Sequence, residues 1–154
     1  MSKTSKKKKT PSLIDALNQV LADSYALMIN THNAHWNVEG PGFFALHAAF
    51  EEQYNDLFAA VDEIAERIRA LGGYAVGSLS AFADLARPED LQAPLKETEY
   101  VKALLKANEK TAADARQCRD LAADQGDKET EDLLIGRVTV HEKTIWMLKS
   151  YLGG

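Results

Sequence analysis

The fold depends on one interruption in an otherwise helical pattern, the stretch at residues 72–96, GGYAVGSLSAFADLARPEDLQAPLK. Pro88 and Pro94 exclude a continuous helix here, because proline lacks the N–H group that a helix interior needs. Residues 78–85 are apolar enough to form one short helix within the stretch. The stretch therefore predicts a long connection between two helical halves of the protein.

Two long helical patterns lie on each side of this connection. Apolar residues recur at helical spacing over four segments, residues 12–38, 43–71, 98–123 and 128–151. Short turns, Gly40-Pro41-Gly42 and Gly126-Asp127, join the helices of each pair. Two short connections and one long crossover predict an all-α fold, a ferritin-like four-helix bundle with a short extra helix in the crossover.

Composition and length set the general class of protein. The chain has 154 residues, of which 45% are hydrophobic and 27% are charged, as in ordinary globular domains. The single cysteine, Cys118, cannot form an internal disulfide bond, which favours a reducing compartment. No apolar run is long enough to span a membrane, and no apolar segment of a secretory signal follows the basic start. We therefore expect a cytoplasmic protein that is not associated with a membrane.

Charge is unevenly distributed along the chain. The formal net charge is −5, but the first ten residues hold five lysines and no acid, so the remainder carries 13 basic and 23 acidic residues, a net charge of −10. The five are Lys3, Lys6, Lys7, Lys8 and Lys9. A polyanion is attracted by such a tail and repelled by such a body. This predicts a tail at residues 1–11 that contacts DNA non-specifically and a bundle at residues 12–154; the alternative is that the tail only aids solubility.

The second helix has an apolar stripe and a separate face of candidate metal ligands. At about 100° per residue, the stripe predicts the bundle core. It comprises Phe43, Leu46, Phe50, Tyr54, Leu57, Val61, Ile64, Ile68 and Leu71. The other face places His47, Glu51, Asp62 and Glu66 among small or apolar residues. Such surroundings predict a second buried contact, and imidazole mixed with carboxylate suits Fe(II) or Zn(II) better than Ca²⁺ or Mg²⁺.

Spacing excludes a metal site built from one copy of this helix. His47 and Asp62 are fifteen residues apart, which is about 22 Å along the helix axis. An antiparallel second copy, related by a two-fold axis near residues 56–57, would bring His47 and Glu51 of one chain beside Asp62 and Glu66 of the other. This predicts intersubunit metal sites; the alternative is that these are ordinary polar groups. A site inside the bundle is not expected, because no histidine follows a glutamate in the Glu-x-x-His pattern.

Several motifs resemble one family of proteins. They are NAHWNVEGP at residues 33–41, FALH at residues 44–47, DEIAERI at residues 62–68 and LGG at residues 71–73. These closely resemble the Dps family, the DNA-binding proteins from starved cells, or mini-ferritins. The resemblance covers nearly the whole chain after Pro11 and continues into residues 126–134 and 141–148. It implies a four-helix bundle that assembles, through isologous dimers, into a hollow dodecameric shell.

The resemblance also implies an activity and the residues that perform it. The implied iron ligands, at a ferroxidase centre across a two-fold interface, are His35, His47, Asp62 and Glu66, with Glu51 as a further ligand. Trp36 matches an aromatic position that shields the chain from radicals. The implied reaction oxidises two Fe(II) ions per hydrogen peroxide and stores Fe(III) in the shell. The acids at the pores through which iron enters would be Asp120, Asp124, Asp127 and Asp132, although helix capping and ordinary surface roles are equally open.

These observations favour an iron-storing ferroxidase that protects DNA and is associated with the nucleoid in the cytoplasm. Two alternatives remain, a mini-ferritin that stores iron without binding DNA and a mainly architectural DNA-compacting protein. The tail lysines match the family only by composition. We find no zinc-finger spacing and no glycine-rich phosphate loop, so sequence-specific DNA recognition and nucleotide hydrolysis are not expected.

Overall fold

The computed structural model describes residues 11–154, and within that range it consists of five helices and no strand. The helices are α1 (Leu13–Asn37), α2 (Phe43–Ala70), α3 (Leu79–Leu85), α4 (Glu97–Asp124) and α5 (Lys128–Tyr151). Every predicted helix is present, and the predicted ends are right to within one or two residues. The all-α, ferritin-like expectation is confirmed. The tail lysines Lys3 and Lys6–Lys9 lie outside the described residues.

The helices form two packed pairs, α1 with α2 and α4 with α5, joined through contacts between α1 and α4. The short α3 in the crossover lies against α1. Two buried apolar clusters fill the bundle, one around Leu17, Leu21 and Ile64 and the other around Phe50 and Leu104. The predicted α2 stripe is buried or partly buried from Phe43 to Ile68. Leu71 is a correction, since it is 36% exposed where it forms the C-cap just after α2 ends.

Polar residues on α1 hold the crossover in place. The Asn30 side chain donates to the Glu89 carbonyl (2.8 Å) and accepts from the Leu91 N–H (3.0 Å). One turn further on, Asn33 donates to the Leu91 carbonyl at 3.0 Å. These bonds satisfy backbone N–H and C=O groups in residues 86–96, which belong to no helix. They therefore hold the crossover in one position on α1 although it lacks regular structure.

A buried pair of carboxyl groups lies where the crossover meets α1 and α4. Asp23 is fully buried, and its Oδ1 accepts from the Gln19 amide (2.8 Å) and the Arg87 backbone N–H (2.9 Å). Asp114 accepts from the Arg87 guanidinium at 2.6 Å. Burial, and next the adjacent Asp114 carboxyl group, raise the pKa of Asp23 to about 7. Asp23 therefore holds a proton below that pH, and within residues 11–154 no other donor reaches its Oδ2 atom.

The turn between α1 and α2 is fixed by a contact with the end of α5. Glu97 accepts from the Gly42 backbone N–H (2.9 Å) and from the Tyr151 hydroxyl (2.9 Å). A Cβ atom at position 42 would collide with that hydroxyl, so any other residue there would have to displace the Tyr151 side chain. Gly40 has φ of +120°, which also favours glycine. This turn sets how the end of α1 faces the start of α2.

Within the described residues 11–154, none of the helices has an apolar stretch long enough to cross a lipid bilayer.

Candidate metal centre

Two histidines, one at the end of α1 and one at the start of α2, lie face to face. The rings of His35 and His47 are stacked, with centroids 3.7 Å apart and planes inclined by 16°. His35 is 7% exposed, and His47 is partly buried. The structure therefore brings together the two imidazoles that the sequence placed twelve residues apart on different helices.

A reciprocal pair of hydrogen bonds fixes both imidazole rings. The His35 Nδ1 lies 2.8 Å from the His47 carbonyl oxygen, and the His47 Nδ1 lies 2.8 Å from the His35 carbonyl oxygen. A carbonyl oxygen only accepts, so each Nδ1 must carry the hydrogen and donate it. The neutral form of each ring then has its lone pair on Nε2, which is the ring nitrogen left available to bind a metal. Both rings are thus oriented and set in the ligating tautomer by the fold of one chain.

Aromatic rings enclose this histidine pair. Phe43 stacks on His47 with centroids 5.0 Å apart, and Tyr54 approaches His35 edge-on at 5.1 Å. Tyr54 also lies 4.0 Å from His32, whose ring stacks on Trp36 at 4.9 Å. Trp36 therefore contacts the centre through His32. These rings limit access of water to one side of the pair.

His32 was not among the predicted site residues, and Tyr54 was predicted only for the core. The available signal was the spacing of His32, three residues before His35 and four before Trp36, which places all three on one side of α1. Partial burial, and then the nearby His35, lower the pKa of His32. The His32 ring is therefore uncharged at physiological pH, like the other aromatic rings around the pair.

The candidate carboxylates lie along α2 and are exposed. Glu51, Asp62 and Glu66 take part in no side-chain hydrogen bond or ion pair with any other residue in the range 11–154. Because α2 is unbroken from Phe43 to Ala70, the fifteen residues between His47 and Asp62 span about 22 Å. In agreement, no three His, Cys, Asp or Glu side chains of residues 11–154 lie close enough to hold one metal ion. One chain supplies the imidazoles in one place and two of the carboxylates in another.

Large apolar side chains accompany these polar groups on the surface. Phe44 is 85% exposed, and Phe58 and Trp36 are each 68% exposed. Aromatic side chains that are exposed to this extent are typical of an interaction site. The second buried contact predicted for this face of α2 is therefore not made by residues 11–154 of the same chain.

The acids near the α4–α5 turn have differing surroundings. Asp127 is the N-cap of α5, where it accepts from the Thr130 N–H (3.0 Å) and pairs with Arg67 (2.9 Å). Burial opposes ionisation of Asp127, but the hydrogen bonds from Thr130 and the Arg67 charge outweigh it and lower its pKa. Asp120 pairs with Arg119 at 2.8 Å, while Asp124 and Asp132 are exposed. The capping interpretation of Asp127 is thus confirmed, and the pore role of these acids stays a prediction.

Comparison with known proteins identifies first the class and then the family. Residues 14–154 match the ferritin-like domain family, so the chain belongs to the ferritin-like proteins. It is 40% identical over 144 residues to an uncharacterized low temperature-induced protein of Nostoc, covering 92% of this chain and 80% of that one. It is 36% identical over 140 residues to DNA protection during starvation protein 2 of Bacillus anthracis, covering 91% of this chain and 96% of that one.

Solved structures give the same result. The Dps protein of Vibrio cholerae, described as a member of a broad superfamily of ferritin-like diiron-carboxylate proteins, superposes with a TM-score of 0.88 at 34% identity. The match covers 91% of this chain and 88% of that one. The chain belongs to the Dps family, as the motifs around His35 and Asp62 predicted.

Proposed function

We propose that this protein is an iron-storing ferroxidase, which binds Fe(II) between two subunits, oxidises it with hydrogen peroxide and stores Fe(III) inside a homo-oligomeric shell. One observation carries the proposal. The reciprocal hydrogen bonds of His35 and His47 leave each Nε2 without a partner among residues 11–154, and the same range exposes the carboxylates of α2. Imidazole nitrogen with carboxylate oxygen is a donor set that suits iron.

In the proposed site, each subunit contributes one half of the ligands. His35, His47 and Glu51 come from one subunit, and Asp62 and Glu66 come from its two-fold partner, aligned by antiparallel pairing of α2. The same pairing would cover Phe44 and Phe58, whose exposure is otherwise costly. Burial of these two rings in a dimer stabilises the interface by roughly 1.5–3 kcal/mol each if they become fully buried.

The chemistry follows from the charges of the ligands. Carboxylates are hard anionic donors, so they favour Fe(III) over Fe(II) and make the bound Fe(II) a better reductant. Hydrogen peroxide accepts two electrons, so two Fe(II) ions, one peroxide and two protons give two Fe(III) ions and two water molecules. Reduction of peroxide in one pairwise step releases no hydroxyl radical. Trp36 and the rings around His35 would intercept any radical that forms, as predicted for Trp36.

Iron supply and storage would depend on the acidic body of the protein. Residues 11–154 carry the net charge of −10, and a negative field raises the local concentration of cations. Asp120, Asp124 and Asp132 are exposed near the α4–α5 turn, where uptake pores are predicted, so their charges face solvent. Asp127 would contribute less, because Arg67 already neutralises it.

A titration tests the proposal directly. Fe(II) is added to the metal-free protein without oxygen, peroxide follows, and the iron oxidised per peroxide is measured with a spin trap present. We expect two Fe(II) oxidised per peroxide and little trapped hydroxyl radical. One Fe(II) per peroxide with abundant trapped radical would mean that the protein does not perform pairwise oxidation.

We propose further that the lysine tail binds DNA without sequence preference, which would place the protein at the nucleoid in the cytoplasm. The contrast between five tail lysines and a body of charge −10 supports this, as does the name of the Bacillus anthracis relative. A single tail offers few phosphate contacts, but many tails on one shell act together, and such avidity exceeds single-site affinity by about 10²–10⁴-fold. Binding of this kind should weaken steeply as salt rises.

A further inference from the structure

A surface groove of about 700 Å³ lies between the start of α1, the crossover and the second half of α4. Apolar side chains from all three segments line it, among them Ala16, Val76 and Leu121. None of its lining residues comes from α2 or α5. The groove is therefore separate from the candidate metal centre and from the α2 face that is proposed to pair.

Three exposed carboxylates also line this groove, those of Asp15, Asp120 and Asp124. Asp15 accepts a hydrogen bond from the neutral Ser12 N–H, which leaves its charge uncompensated. Asp120 pairs with Arg119, a residue that does not line the groove. Asp124 forms no ion pair within residues 11–154. The groove thus combines an apolar lining with exposed negative charge.

The acids are concentrated at the end of the groove where Pro11 lies. Asp23 on α1 lies beside Asp114 on α4, whereas Pro11, twelve residues before Asp23, lines the groove together with Asp124, ten residues after Asp114. The two helices therefore run antiparallel along the groove. Within residues 11–154, Arg87 is the one cationic lining residue, and it lies at the far end, where it pairs with Asp114 at 2.6 Å.

The lysine tail joins the described part of the chain at this acidic end. Residues 1–10 lie outside the described residues, and Lys6–Lys9 stand two to five positions before Pro11. At about 3.3 Å per extended residue, these lysines reach roughly 7–17 Å from Pro11. The span from Asp114 to Asp124 covers ten residues of α4, or about 15 Å along the helix axis. The segment Lys6–Lys9 therefore fits the groove in length.

Lysine side chains also fit the groove in chemistry. The methylene groups of lysine pack on apolar surface while the ammonium group stays at a polar, solvated edge. The excess of negative charge over residues 11–154, a net −10, attracts the five tail lysines. Carboxylates and DNA phosphates are both anionic oxygen acceptors, so the groove and DNA offer the same ammonium groups the same kind of partner.

We propose that Lys6–Lys9 dock in the groove of their own chain and that DNA must displace them to bind the tail. The docking does not depend on the proposed DNA binding, whereas the competition rests on it. A docked tail is unable to contact phosphates with the same lysines. The apparent affinity of each tail for DNA is then reduced in proportion to the fraction of tails that are not docked.

Zero-length crosslinking tests the docking in the assembled, full-length protein without DNA. A carbodiimide joins a lysine amine to a carboxylate in contact with it, and mass spectrometry identifies the joined peptides. We expect Lys6–Lys9 to be joined mainly to the three exposed groove acids, and far less to Glu99 and Glu109, which are exposed elsewhere on α4. Tail crosslinks spread evenly over all exposed acids would overturn the docking. Groove acids joined instead to lysines outside the tail would overturn it too, because another segment or a second copy would occupy the groove.

A pair of matched variants tests the competition. Gln117→Glu adds a carboxylate to the groove, and Gln92→Glu makes the same change at an exposed crossover position outside it. Asp120 and Asp124 are left unaltered, because the predicted pores would use them too. We expect Gln117→Glu to increase the yield of tail crosslinks and to weaken DNA retardation by up to about fivefold relative to Gln92→Glu, the effect of one strong exposed ion pair.

Added DNA provides a test that needs no variant. DNA that the unaltered protein retards should lower the yield of crosslinks between the tail and the groove. An unchanged yield, or equal DNA retardation by Gln117→Glu and Gln92→Glu, would overturn the competition. If none of the shells retards DNA, the proposed DNA binding is wrong, and the crosslinks measured without DNA still decide whether the tail docks.

Discussion

Mixed shells made from two inactive variants provide the sharpest test of an intersubunit site. His47→Ala removes an imidazole contributed by one side of the proposed dimer, and Asp62→Ala removes a carboxylate contributed by the other. Either variant alone should lose rapid Fe(II) oxidation, because every site in its shell lacks one ligand. When the two are dissociated, mixed and reassembled, we expect part of the activity to return.

The expected recovery follows from the geometry of α2. A dimer of one His47→Ala and one Asp62→Ala subunit contains one site with both defects and one site with neither. Half of the dimers are mixed when equal amounts combine at random, so about a quarter of all sites are intact under two-fold symmetry. If His47 and Asp62 of one chain served one site, mixing would restore none, but the 22 Å helical separation excludes that arrangement.

The assay is stopped-flow absorbance of Fe(III) formation after peroxide is added to Fe(II)-loaded shells. Native mass spectrometry confirms that the shells contain both variants. Two other mixtures serve as matched controls, His47→Ala with His35→Ala and Asp62→Ala with Glu66→Ala. Each control combines two defects on the same side of the site, so every site stays defective and no activity should return.

Two outcomes would refute the arrangement. Verified mixed shells of His47→Ala and Asp62→Ala that remain as slow as either parent would show that these residues do not share a site. Recovery in a control mixture would show that the assignment of ligands to the two subunits is wrong.

Three other predictions concern the carboxylates, the tail and pH. Glu66→Gln should lower both Fe(II) affinity and the oxidation rate in an intact shell, since it removes a negative ligand, whereas Glu63→Gln on the same helix should not; equal kinetics in the two shells would place the site elsewhere. Deletion of residues 1–10 should abolish DNA retardation at moderate salt and leave iron oxidation unchanged, and a truncated shell that still retards DNA would require another basic surface. The raised pKa of Asp23, about 7 in the fold against 3.8 unfolded, means that stability present below pH 3.8 is lost as pH rises through about 7. Asp23→Asn supplies an amide N–H in place of the shared proton, so its stability relative to the unaltered protein should increase by on the order of 2 kcal/mol between about pH 5 and pH 8 in denaturant titrations; a constant difference would show that Asp23 is already ionised at pH 5.

Much of the fold could be predicted because its determinants are local. Helical periodicity and the glycine turns act within a few residues of one another, and all five helices were expected near their observed positions. The one error in the α2 stripe, Leu71, arose because periodicity continues past the residue where the helix ends. Helical periodicity assigns each residue to a face of the helix, but it does not show at which residue the helix ends.

The polar interactions of the interior were not predictable in the same way. Asp23 and Asp114 are 91 positions apart, and the partner of each becomes defined only when α1, α4 and the crossover pack together. The same holds for Arg137 and Asp56, which meet across 81 positions. Periodicity treats such residues as exposed, because it contains no information about a charged partner on another helix. Their burial is therefore the part of the structure that sequence patterns describe least well.

One chain by itself fixes the histidine part of the candidate site and leaves the carboxylate part exposed. The fold of one chain completes the orientation of His35 and His47, since each ring is held by the other's backbone carbonyl. It leaves Asp62 and Glu66 exposed on the same helix as the uncovered Phe58. On the proposed arrangement, imidazoles that are oriented before assembly meet carboxylates that become ordered only when α2 pairs with a second copy. Metal that binds the paired state but not the separated chains must then stabilise the pair, by an amount that grows with the logarithm of its concentration. Iron binding and subunit association would thus be linked in this protein, because residues 11–154 of one chain bring no three candidate ligands together.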